Sequence, residues 1–130
     1  MRWLERGLLL RGPSGSGKSD FVLRLLEAGA WLVADDLVQL RREGDLLMAQ
    51  GPAPRGLLEL RGLGIYRLAA MPRTRIHLCV RLGPAEHGPR LPESGSASIC
   101  GLELPEVALD PSRPSAVARL RLLLWCGRTA

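Results

Sequence analysis

Aromatic side chains are scarce in this sequence, with one Phe, one Tyr and three Trp among 130 residues. Leu, Val and Ala must therefore fill whatever core it builds. Asparagine is absent, and Lys18 is the sole lysine; arginine makes up the rest of the 18 basic residues. That skew fits a GC-rich coding bias better than a surface shaped for a polyanion. The arginines are also scattered, whereas a nucleic-acid footprint gathers them on one face or stripe. The formal net charge of +5 is thus read as an aid to drawing in a phosphorylated ligand or acidic partner, not as a sign of nucleic-acid binding. Cysteine is limited to Cys79, Cys100 and Cys126. With no C-x-x-C, and with only His77 and His87 to help, they offer no zinc spacing. Buried or inert thiols in a reducing cytosol are expected. No stretch approaches the roughly 20 apolar residues of a membrane span. Met1–Leu10 contains Glu5 and no long unbroken apolar run, unlike a secretion signal. The expected location is the cytoplasm, away from membranes.

What remains is the composition of an ordinary globular protein, 46% hydrophobic and 24% charged, long enough for one domain over residues 1–130. Gly7–Arg11 is a short apolar run closed by Gly12, read as a buried strand entering a turn. From Lys18 onward Phe21, Val22, Leu25 and Leu26 recur at helical spacing until Gly29 supplies a stop. Trp31–Ala34 reads as a second strand ending at Asp35-Asp36, which makes a βαβ unit with parallel strands. Leu37–Leu40 and Leu46–Ala49 predict a hairpin around a polar turn at residues 41–45. A second pair, Leu57–Leu60 and Ile65–Leu68, flanks Gly62 and Gly64. In Arg75–Leu82, Ile76, Leu78 and Val80 alternate with His77, Cys79 and Arg81, as in a strand with one apolar face. Residues 83–98, rich in Gly, Pro and Ser, read as a surface loop. A further short strand is expected within Ile99–Leu109, and Ser115 is placed as the cap of a last helix carrying Val117, Leu120, Leu123 and Leu124 on one side.

Gly12-Pro13-Ser14-Gly15-Ser16-Gly17-Lys18-Ser19 matches G-x-x-x-x-G-K-[ST], the phosphate-binding P-loop. Glycines let such a loop curl until successive backbone N–H groups face a phosphate, and the helix that follows adds its N-terminal dipole. Lys18 is suited to the β- and γ-phosphates, and the Ser19 hydroxyl to Mg²⁺. A strand before and a helix after are the context that supports the motif, and the one lysine falls on the position that needs it. Asp35 and Asp36 end the next strand, near the crevice where parallel sheets bind ligands. One carboxylate can hold Mg²⁺ while the other takes the proton of an attacking hydroxyl. The plainer alternative is a solvated turn. Glu59, inside Leu57-Leu58-Glu59-Leu60, is either a further acid near a metal or an exposed residue of an edge strand.

Taken together, Gly12–Asp20, Leu32–Asp36 and Gly56–Ile65 resemble HPr kinase/phosphorylase, most closely its short, catalytic-domain-only alphaproteobacterial forms. The E-x-R-G-x-G-I segment is the most specific of the three. The resemblance implies a P-loop α/β domain with a single mixed sheet, similar to the phosphoenolpyruvate carboxykinase-like fold. It implies an enzyme that uses ATP and Mg²⁺ to phosphorylate a serine of the phosphocarrier HPr, regulating carbohydrate metabolism. The same enzyme removes that phosphate with inorganic phosphate, releasing pyrophosphate. In this resemblance Asp35 is the general base of the forward reaction and the acid of the reverse, Asp36 and Glu59 surround the metal, and Arg61, Gly62 and Gly64 belong to the phosphorylase segment and subunit contacts. A homo-oligomer is implied as well. Two departures stand out. The H-A-x-x-V-type histidine that usually precedes the P-loop has no counterpart in the eleven residues before Gly12, and neither His77 nor His87 can replace it by position. The P-x-R-P-G-R-N-like segment is reduced to Asp110–Ala116, which leaves Arg113 and Arg119 as candidates for the basic group at the transferred phosphoryl. The rival readings are a P-loop regulatory module without turnover and, less favoured, a small-molecule kinase.

Overall fold

The computed structural model describes residues 1–13, 15–35, 37–52, 56–60, 62–84 and 94–126. It contains strands β1 (Arg2–Trp3), β2 (Arg6–Arg11), β3 (Gln39–Glu43), β4 (Leu46–Gln50), β5 (Leu57–Leu60), β6 (Gly64–Arg67), β7 (Arg73–Leu82), β8 (Ser94–Ile99) and β9 (Leu102–Leu109). The helices are α1 (Lys18–Glu27) and α2 (Ala116–Cys126).

The long strand β7 organises the molecule. β2 lies parallel along one of its edges. The other edge is shared: β4 pairs antiparallel with Arg73–Arg75, and β9 pairs parallel with Cys79–Leu82. β1, β3 and β8 extend β2, β4 and β9 as antiparallel neighbours, and β5–β6 forms a separate antiparallel pair. The main sheet is thus mixed, as expected. Its parallel strands β2, β7 and β9 all bring their C-terminal ends to one edge, where ligands gather in α/β sheets.

Apolar side chains cover both faces. On one, α1 and α2 pack against the sheet through Phe21, Val22, Leu25, Ala116 and Leu120, over Leu8, Val80, Leu82 and Leu109. Val117, Leu123 and Leu124 join them, as the helical spacing predicted. Leu47, Ala49 and Ile76 form a smaller cluster with Leu9 and Leu40. With Phe21 the only phenylalanine, aliphatic residues do supply nearly all of this interior.

Ile76 and Leu78 belong to different clusters, which corrects the single apolar face expected for this strand. Gly7 stands opposite Ile76 but Leu8 stands opposite Leu78, so His77 is an extra residue, a bulge. A bulge changes which face later side chains take. It also interrupts the ladder, and Gly7 N–H donates instead to His77 Nδ1 at 3.0 Å. Gly7 must be glycine: a Cβ there would sit 1.7 Å from the Arg75 carbonyl oxygen.

Other expectations shift in detail. Trp31–Ala34 is not a regular strand; Trp31 bridges antiparallel to Arg2 and Leu32 parallel to Ala70. Since β1 is itself antiparallel to β2, this segment still runs in the direction of β2, with β1 inserted between them. The β3–β4 turn is shorter than expected, because Glu43 already pairs with Leu46 and Gly44 takes the positive φ of 63°. Residues 94–98, expected in a loop, form with Ile99 the strand β8, which pairs with β9 along its whole length. Residues 85–93 of that expected loop, His87 among them, lie outside the described residues. Ser115 directly precedes α2, where its Oγ accepts from Arg119 Nε at 2.8 Å. Cys79 is buried, and burial raises its thiol pKa. Cys100 is a free, exposed thiol at the β8–β9 turn. Among the described residues, no helix is long and apolar enough to cross a membrane.

Candidate phosphate-binding site

The loop after β2 enters at Gly12 and leaves into α1 at Lys18. Gly12 is pinned by space: a Cβ would stand 2.5 Å from Ser16 Oγ and 3.2 Å from the Leu82 carbonyl. Ser16 N–H donates to the Pro13 carbonyl at 3.0 Å, closing a turn that curls the loop back on itself. Gly15 and Gly17 hold positive φ values of 83° and 87°, which side chains other than glycine rarely accept. Gly17 is the N-cap of α1, its carbonyl accepting from Phe21 N–H at 3.0 Å, and among the described residues no side chain caps the helix. The loop therefore presents backbone and a helix N-terminus rather than a side-chain cap, the arrangement that suits an anion. Ser16 Oγ adds a buried polar atom without a hydrogen-bond partner among the described residues. Lys18 is half-buried at the first turn and Ser19 is exposed beside it. Ser14 lies outside the described residues.

Asp35 comes from the segment that runs in the direction of β2, and so approaches the edge where β2 ends. Its Oδ2 accepts a hydrogen bond from Glu59 N–H at 3.2 Å, which ties the carboxylate to β5. Glu59 itself shares the exposed face of β5 with Leu57, while Leu58 is buried. Asp36 lies outside the described residues. The hard oxygen donors Ser19 and Glu59 suit Mg²⁺, which takes one or two carboxylates together with substrate phosphates and waters. Among the described residues no three His, Cys, Asp or Glu side chains cluster as a self-sufficient metal cage, and a nucleotide-dependent Mg²⁺ site does not require one.

The β5–β6 hairpin closes tightly. Leu60 pairs with Gly64, Leu63 N–H donates to the Leu60 carbonyl at 3.0 Å, and Gly62 and Gly64 take φ values of 82° and 113°. Arg61, at this tip, lies outside the described residues. Between the hairpin and α1 an open groove of about 480 Å³ is walled by Leu23, Leu26, Leu60, Leu63 and Tyr66. Its apolar walls set it apart from the phosphate loop.

The connection from β9 to α2, singled out in the sequence for Arg113, also packs against the loop and α1, which the sequence did not show. Asp110 Oδ1 accepts from both Ser112 N–H at 2.9 Å and Ser112 Oγ at 2.6 Å. This compact turn brings Pro111 Cγ to 3.3 Å from the position of a Gly17 Cβ. Arg24, which reads in sequence as one of several polar residues of an amphipathic helix, donates to the carbonyls of Pro111 and Arg113. The Asp-Pro-Ser run signalled the turn; nothing local signalled its packing partner.

Residues 1–117 match the model of the HPr Serine kinase C-terminal domain. The chain belongs to this family. Among curated relatives, the HPr kinase/phosphorylase of Chloroherpeton thalassium is 40% identical over 116 residues. That alignment covers 79% of this chain and 34% of the relative. The HPr kinase/phosphorylase of Geobacillus thermodenitrificans is 39% identical over 121 residues, covering 83% of this chain and 39% of the relative. The chain thus spans little more than a third of the length of these HPr kinase/phosphorylases. A solved structure described as the Hpr(Ser) kinase/phosphatase from Coxiella burnetii superposes with a TM-score of 0.79 at 24% identity. It covers 90% of this chain and 85% of that one, which establishes the shared α/β mixed-sheet fold.

Proposed function

We propose that residues 1–130 act as the catalytic unit of an HPr kinase/phosphorylase, as in the short forms the sequence resembles. The observation that carries this reading is the curled Gly12–Ser19 loop, opening at the C-terminal edge of parallel strands in a chain of this family. In the kinase direction the backbone of the loop and Lys18 bind the phosphates of ATP, and Ser19 with the acids Asp36 and Glu59 is suited to Mg²⁺. The bound metal would supply charge neutralisation on the phosphates. Asp35 takes the proton from the acceptor serine hydroxyl as its oxygen bonds to the γ-phosphorus and the bond to the β-phosphate oxygen breaks, releasing ADP. In reverse, inorganic phosphate attacks the phosphoserine phosphorus, Asp35 returns a proton to the departing serine oxygen, and pyrophosphate leaves.

The hydrogen bond from Glu59 N–H to Asp35 Oδ2 supports this division of labour, because a base is effective only when its carboxylate is held in one orientation. Arg61, Gly62 and Gly64 are assigned to the phosphorylase activity, and Arg113 or Arg119 to the charge on the transferred group. The partner is HPr, the setting cytoplasmic, and the assembly a homo-oligomer without nucleic acid or membrane. Incubation with labelled ATP, Mg²⁺ and the HPr of the same organism tests the reading, with label expected on a serine of HPr. ATP binding without any transfer of label would instead favour the regulatory-module alternative.

A further inference from the structure

Four features converge on Arg24, in the last turn of α1. One Nη donates to the Pro111 carbonyl and the other to the Arg113 carbonyl, the latter at 3.3 Å. Its Nε lies 3.5 Å from Asp20 Oδ2, at ion-pair distance but without a hydrogen bond. The guanidinium carbon stands 5.4 Å from the centre of the buried Phe21 ring. A planar, permanently charged fork is suited to holding two carbonyls at once, which a lysine ammonium on a flexible stem is not. The turn that Arg24 grips is already closed on itself by Asp110 and Ser112, and the Arg113 carbonyl also accepts from Ala116 N–H at 3.0 Å at the start of α2. The grip therefore joins α1 to the whole β9–α2 connection.

On its other side that connection meets the phosphate loop. Among the described residues, chain neighbours aside, nothing stands within 4 Å of where a Gly15 Cβ would be, while at Gly17 Pro111 Cγ lies at 3.3 Å and Pro111 Cβ at 3.8 Å. The buried Pro111 ring is thus a wall behind the left-handed Gly17, whose conformation aims the first N–H groups of α1. We infer that Arg24 is a positioning residue for the phosphate-binding loop, acting through Pro111 on Gly17. It touches no ligand itself. By the same grip it fixes the backbone of Arg113 against α1. The inference rests on the proposed phosphate-binding role of Gly12–Ser19.

The test is pyrophosphate titration by calorimetry of the wild type, R24M, P111A and the double variant, each first shown to be folded by circular dichroism. R24M keeps the length of the side chain but loses both donors, and P111A removes the wall. Each is expected to weaken pyrophosphate binding about 3–10-fold, and the double variant to be no worse than the weaker-binding single, because residues acting through one contact are non-additive. R24K should recover only part of the loss. A merely structural arginine would lower the melting temperature of R24M and leave its pyrophosphate affinity unchanged; that result, or losses that multiply in the double variant, would overturn the inference. Should R24M fail to fold, wild-type affinity in P111A overturns it equally. Wild-type protein that binds neither pyrophosphate nor Mg²⁺–ATP would overturn the phosphate site itself and the role of Arg24 with it. A wild type that binds, beside variants that bind as well, defeats Arg24 alone.

Discussion

Replacing His77 with alanine probes the bulge that sends Ile76 and Leu78 to opposite faces of the sheet. The imidazole Nδ1 accepts from Gly7 N–H at 3.0 Å, and Gly7 is buried. Removing the acceptor strands that donor, a change worth about 1–3 kcal/mol. Because His77 is itself only half-buried and water can reach part of the gap, the low end applies, about 1 kcal/mol, or roughly 4 °C in Tm for a domain of this size. The pH dependence follows from the same bond. Burial first, then the Arg75, Arg6 and Arg2 guanidinium groups, lower the His77 pKa below its ordinary value, so the folded protein favours the neutral ring that can accept. As pH falls through the unfolded value near 6.5 toward the lower folded one, the unfolded chain binds more protons. The wild type should then lose stability relative to its value at neutral pH. Urea unfolding of wild type, H77A and H77Q at pH 7.5 and about 5.5 checks this. The gap between wild type and H77A should narrow at the lower pH, while H77Q, whose amide oxygen can accept at either pH, should sit between them without that narrowing. A gap that stays constant or widens on acidification would refute the role given to the neutral imidazole.

Lys18→Ala should weaken ATP or pyrophosphate binding by about 1.5–3 kcal/mol, as for other hydrogen bonds to charged groups, with melting temperature unchanged; equal affinity in a titration of the folded variant would remove the loop assignment. Asp35→Asn cannot accept a proton and is expected to lose roughly 10²–10⁴ in phosphotransfer rate while binding Mg²⁺–ATP within a few-fold; wild-type turnover would place the base elsewhere. Leu4 and Glu5 both hold positive φ, 51° and 61°, in the two-residue turn between β1 and β2. Glu5→Gly should therefore raise stability by a few tenths to about 1 kcal/mol, read as an upward shift in Tm, and a fall would show that the Glu5 side chain contributes more than its backbone strain removes.

The chemistry-bearing loop was legible from one dimension because it is a local object. Gly15 and Gly17 are demanded by the backbone of the loop itself and Gly12 largely by its own Ser16, and the strand before and helix after it follow from short-range periodicity and a glycine stop at Gly29. The β5–β6 hairpin was legible for the same reason, since Gly62 and Gly64 are turn residues by their own φ. Alternation failed where a long-range partner decided the outcome. Ile76, Leu78 and Val80 read as one face, yet the close approach of Gly7 to Arg75 forces an extra residue into β7 and flips the pattern at His77. Trp31–Ala34 looked like a strand beside β2, but β1 occupies that place and leaves it only isolated bridges. Ser94–Ile99 has the composition of a loop and becomes a strand because β9 offers a free edge. Local propensity is weaker than a pairing partner of this kind. The grip of Arg24 on Pro111 and Arg113 joins residues more than 80 positions apart. No local rule marks such a contact; the sheet creates it by delivering the ends of β2 and β9 to the same edge. Sequence thus marked Gly12–Ser19 as the candidate phosphate loop, and the tertiary structure decided what stands behind it.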